Sequence, residues 1–142
     1  MRPGRWVCLL LVLSLGCGSS SVELVVVGSG VDGCSYDGPS QVVPGLHSMV
    51  MGPSGGGHIV TTVHLIDTDV TTSAIAEHFA SGGDPFPDFM TPVMTVERVN
   101  PNAFVTESYE FEAGEYVIVC TSVNPVGDDL VRPIGFLTVS EG

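Results

Sequence analysis

The chain has 142 residues, with sixteen Asp and Glu against four Arg and no Lys, a formal charge of −12 with histidine neutral. That balance argues against nucleic-acid binding, which needs clustered Lys or Arg against phosphate, and equally against a protein surface that grips anionic lipid. The length suffices for one domain with its own core and leaves no room for a second.

Residues 1–16 read as a secretory signal. Arg2 and Arg5 supply the positive start, Val7 to Leu15 an apolar stretch, and Gly16 and Gly18 the small residues that follow. The stretch is far shorter than the roughly 20 residues of a spanning helix, and no later segment is long and apolar enough to be one. The sequence "LSLGC" resembles the lipobox of bacterial lipoproteins, which implies lipidation of Cys17 as the new N-terminus. Where that family prefers Leu and a small residue before the cysteine, this chain has Ser14 and Leu15. Residues 17–21 then form a lipidated cysteine and a flexible polar tether, "GSSS". Ordinary cleavage and free secretion are the alternative. Acyl chains on Cys17 would anchor the protein, and this would be its sole membrane contact. Beyond that point sixteen carboxylates face only Arg98 and Arg132, a balance of −14. The acids are scattered, as on a solubilising, self-repelling surface; steering of cationic partners is the functional alternative.

Residues 22–142 form the domain. Eighteen glycines and ten prolines punctuate Val-rich runs, a pattern of short strands joined by turns. "VELVVVG" at 22–28 opens it, "CSY" at 34–36 precedes an Asp-Gly-Pro turn, and "GLHSMVM" follows at 45–51. "HIVTTVHLID" at 58–67 carries apolar residues on both faces, which predicts a strand covered in part on both sides. The period then changes. "TTSAIAEHFASGG" sets Ile75 and Phe79 four apart behind a Thr or Ser cap and stops at Gly82 and Gly83, predicting a short helix around 72–81. "GDPFPDFMTP" is a proline-broken loop carrying Phe86, Phe89 and Met90. It reads as a lid over one end of the sandwich core, or as a candidate partner-binding loop. Strands resume at 93–98, 103–111, 115–121 and 134–140. Seven or eight strands and one helix in this length predict an all-β sandwich.

The last third, "FEAGEYVIVC" followed by "IGFLTV", resembles the end of a cupredoxin, where a strand ending in the metal's thiolate leads through a ligand-bearing loop to a final strand. With "CSYDGPSQVVPG" it resembles a group of uncharacterised secreted or lipid-anchored bacterial proteins with a cupredoxin-like fold. The resemblance covers residues 22–142 and implies a Greek-key β-sandwich. It places His58 where such proteins carry their first histidine and Cys120 where they carry the thiolate.

A blue-copper centre needs two imidazoles and a thiolate, with a weak axial ligand. The loop after Cys120, "TSVNPVGDDLVRP", holds no histidine, and Arg132-Pro133-Ile134 stands where an axial Met would. Copper is therefore not expected, and His58 and Cys120 remain weak metal candidates. His47, His58 and His64 fall on strands, and His78 on the outer side of the helix. With Cys8 in the signal and Cys17 assigned to lipid, Cys34 and Cys120 remain, and an even pair in an oxidising compartment predicts a disulfide. Closing so long a loop contributes roughly 4 kcal/mol on the chain-entropy model. "DTD" at 67–69 and "GDD" at 127–129 offer carboxylates for calcium without the spacing of a known loop. No G-x-S-x-G elbow or other catalytic constellation is present. The sequence thus predicts an exported, lipid-anchored envelope protein, not an enzyme, acting as a binding or structural module toward an unknown envelope protein or ligand. A copper-binding or redox protein using His58 and Cys120 in an incomplete site is the alternative.

Overall fold

A computed structural model describes residues 21–28, 34–52, 58–84, 86–100, 102–124, 127 and 129–141. The signal segment, Cys17 and most of the tether lie outside the described residues. Among the described residues, nine strands and one helix follow in the order β1 (Glu23–Gly28), β2 (Cys34–Asp37), β3 (Gln41–Val42), β4 (Gly45–Met51), β5 (Ile59–Ile66), α1 (Thr72–Ala80), β6 (Met90–Arg98), β7 (Val105–Phe111), β8 (Gly114–Ser122) and β9 (Leu130–Val139). They form two sheets, ordered β2-β1-β4-β7 and β3-β9-β8-β5-β6. Neighbours are antiparallel except β1 with β4 and β3 with β9. This is the expected all-β sandwich of two sheets, with a helix inserted between β5 and β6.

Alternation along each strand builds the core. Leu24 and Val26 of β1, Met49 and Met51 of β4, Ile59 and Val63 of β5, and Tyr116, Ile118 and Cys120 of β8 point between the sheets and are buried. The opposite faces of β5 and β8 are also apolar, and there a second cluster forms from Ile66, Met90, Val117 and Val119 around Ile75 of α1. Covering β5 on both sides is what its unbroken apolar run requires.

The helix begins where its cap dictates. The Thr71 hydroxyl accepts the Ala74 N–H at 3.1 Å. At the other end Gly82 takes φ +76°, and the Gly83 N–H reaches the His78 carbonyl at 3.0 Å.

Two strands start earlier than the sequence predicts, β6 at Met90 rather than 93 and β9 at Leu130 rather than 134. The prolines that suggested loops sit at irregularities of the ladder. Pro92 opposes His64 and Met94 opposes Val63, so Val93 is an extra residue on a strand at the sheet's edge. Pro133 opposes Val119 and Gly135 opposes Ile118, so Ile134 is extra there. On its other side β9 pairs with β3 only at Thr138 and Val139. At bulges and open edges a missing N–H removes no ladder bond. The loop of Phe86, Phe89 and Met90 also differs from expectation. It lies over the outer face of the five-stranded sheet, not over one end of the core, and Met90 is buried there and Phe89 half-buried. Only Phe86 is exposed, at 50%.

Candidate functional site

The residues singled out for metal chemistry lie on the five-stranded sheet, and its register decides what they can do together. Cys34 opens β2 opposite Gly28 of β1. Cys120 stands on β8, opposite Thr61 on one side and Arg132 on the other. Both cysteines face the interior, at 2% and 1% exposure, and a disulfide joins them across the two sheets with Cα atoms 6.3 Å apart. Arg132 Nη2 lies 3.5 Å from the Cys34 carbonyl that it approaches.

His58 immediately precedes β5, and the strand's alternation sends its side chain the other way. Odd positions 59, 61 and 63 of β5 face the core, while His58 shares the outer side with Val60, whose partner is Glu97. There the His58 Nε2 donates to Glu97 Oε2 at 2.6 Å, at the surface. His58 and Cys120 therefore project from opposite faces of one sheet, and the Cys120 sulfur is bonded to Cys34. These residues do not fit a copper ligand set. Among the described residues, no three His, Cys, Asp or Glu stand together so as to hold a metal ion.

The remaining histidines are dispersed. His47 is buried, and its ring bridges two backbone groups. Nδ1 accepts the Val22 N–H at 3.0 Å, and Nε2 therefore carries the hydrogen that it donates to the Val43 carbonyl at 2.7 Å. It latches the start of the domain to the turn before β4. His64 lies on the outer face of β5, buried beneath Phe86, and burial holds its pKa below the ordinary imidazole value. His78, expected on the outer side of the helix, instead turns toward the following loop. Its Nε2 donates to the Asp84 carbonyl at 2.6 Å, and its ring meets Phe89 edge-on at 5.4 Å.

Sequence reasoning missed Arg98. It is fully buried on the inner face of β6, in step with Met94 and Val96, and its Nη1 donates to the Gly52 carbonyl at 2.6 Å. Period-2 spacing along the strand at 93–98 puts Arg98 on the face of Met94 and Val96, a signal that could have found it. Two tyrosines also pin turns. The Tyr36 hydroxyl donates to the Pro39 carbonyl at 2.7 Å, and burial raises its pKa to about 12. The Tyr116 hydroxyl donates to the Glu112 carbonyl at 2.8 Å, and burial is the main cause of its raised pKa.

At the far end of the sandwich from the disulfide, a groove of about 690 Å³ runs between the end of β5 and the start of β8. Leu65, Ile66 and Val139 line it, with Asp67, Asp69 and Glu115 among them. Glu115 already accepts the Thr138 hydroxyl at 2.7 Å. Asp67 and Asp69, weighed above for calcium, flank the turn into α1; the 127–129 segment lies partly outside the described residues.

No family model matches the chain, and no curated protein does. Among solved structures it is similar to a dithionite-reduced auracyanin from the photosynthetic bacterium Roseiflexus castenholzii, at 17% identity and TM-score 0.46 over 86% of this chain and 99% of that one. It is also similar to auracyanin B, at 14% identity and TM-score 0.46 over 86% and 92% of the two chains. A third is auracyanin A, described as a "blue" copper protein from the green thermophilic photosynthetic bacterium Chloroflexus aurantiacus, at 15% identity and TM-score 0.46 over 85% and 100%. Likeness at this level transfers no ligand and no role.

Proposed function

We propose that the protein is a non-enzymatic binding or structural module of the bacterial cell envelope, exported through residues 1–16 and held by lipid on Cys17. The observation that carries the non-metal reading is the state of Cys120. Its sulfur is consumed in a buried bond to Cys34, and the other candidate ligand, His58, points to the other face of the sheet. A buried disulfide between the two sheets suits an oxidising compartment, where a domain of this size gains roughly 4 kcal/mol from the closed loop. The signal-like start, the small residues around Cys17 and the polar "GSSS" support export and anchoring. On this reading the module recognises a partner rather than transforming a substrate.

The test is a thiol count with intact mass on protein purified from an oxidising compartment, with and without reductant and copper. The reading expects no titratable thiol, a mass two hydrogens below the reduced form, and no retained copper. Free Cys34 and Cys120 with one bound copper would overturn it in favour of a redox protein. Anchoring has its own readout: an acyl mass on Cys17 and partition into detergent, both lost in Cys17→Ala.

A further inference from the structure

Beneath the loop that follows α1 lies an imidazole with no role in the reading above. His64 is 2% exposed. Its Nε2 lies 2.8 Å from the Thr62 hydroxyl, and its Nδ1 meets no partner. The neighbours paired with it across the sheet are apolar, Pro92 on β6 and Val117 on β8. Over it lies Phe86, half exposed, with ring centroids 5.8 Å apart and planes at 28°. Local bonds shape this stretch. The Phe86 N–H donates to Asp84 Oδ1 at 2.9 Å, the Met90 N–H to the Pro87 carbonyl at 3.1 Å, and the Asp67 N–H to the Phe89 carbonyl at 3.1 Å.

We propose that His64 and Phe86 form a pH-sensitive clasp, in which protonation of His64 releases Phe86 from the outer face of β5 and opens residues 86–88 to solvent. An imidazolium has two N–H donors. Thr62 can receive one, and the other would be buried with no acceptor. Stacking on the Phe86 ring returns something to a cation, yet less than a buried charge and an unpaired donor cost. Opening the clasp lets water take the second N–H. The direction in which burial moves the His64 pKa agrees with this. The closed form holds the proton more weakly than an ordinary imidazole, and the open form, where water reaches Nδ1, holds it more strongly than the closed one. Acidification therefore favours the open form.

Other titratable groups surround the site and have partners or solvent of their own. From β6 comes Glu97, bonded to His58, and from β8 Glu115, bonded to Thr138. The loop contributes Asp84 and Asp88, and α1 contributes Glu77 and His78. His78 already donates to the Asp84 carbonyl, so a second proton on its ring leaves that bond intact. The clasp operates whatever the domain binds.

Nuclear magnetic resonance on the full chain tests it, following the His64 ring and the amides of residues 86 and 88 from pH 8 to pH 5. The expected result is a His64 midpoint below that of an ordinary histidine, with the loop amides shifting at the same midpoint. Phe86→Ala, at a half-exposed position that threatens no core, moves the His64 midpoint up toward 6.5. His64→Gln abolishes the pH response of the amides, and His78→Gln preserves it. A His64 midpoint unmoved by Phe86→Ala would overturn the clasp. So would loop amides that still respond in His64→Gln, or that lose their response in His78→Gln.

Discussion

The two sheets share one pleat and present very different outer faces. On β5 and β8 the outward residues include His64, Ile66, Val117 and Val119, all buried under α1 and the loop behind it. On β1, β4 and β7 the outward residues include Glu23, Ser48, Val50, Thr106, Ser108 and Glu110, and none is buried. Ser48 and Ser108 join hydroxyls across that bare face at 2.9 Å. Cover thus follows composition: an apolar second face demands another layer, while hydroxyls and carboxylates are content with water. The inserted helix sits where the sheet would otherwise expose a row of valines.

Substitutions on the two faces should therefore differ in scale. Ile75→Ala, which empties the centre of the covering layer, is expected to lose about 3 kcal/mol in a denaturant titration, against about 1 kcal/mol or less for Val50→Ala on the bare face. Equal losses would break the distinction. Thr71→Ala removes the cap that starts α1 and should cost about 1 kcal/mol, with the loss of helix visible by circular dichroism. The covered face also carries the acid sensitivity. Because burial lowers the His64 pKa in the folded chain, the unfolded chain takes up more protons as pH falls through 6.5, and stability declines there. His64→Leu should flatten that part of the stability–pH curve, and a curve unchanged by it would show that the covered face does not titrate. Smallest of all, Ser48→Ala on the bare face should stay within about 0.5 kcal/mol.

Much of this was legible in the residues. The apolar run of β5 announced burial on both faces, the Thr and Ser before Ile75 announced a capped helix, and the pairing of Cys34 with Cys120 followed from counting. The prolines misled at β6 and β9, because Pro reads as a break unless the ladder is known to carry a bulge or an open edge at that point. The loop at 84–92 was legible as a cover but not as to what it covers. His64 looked like any strand histidine until Phe86 was seen to lie across it.

The sequence by itself determined parity, caps and the sulfur pair, because each depends on neighbours within a turn or a strand, or on how many cysteines remain. Only the tertiary structure decided that Thr61 stands beside Cys120, that His58 consequently turns to the opposite face toward Glu97, and that His47 ties Val22 to Val43. Register between strands is set by the packing of whole faces against one another, and no local period of residues encodes it.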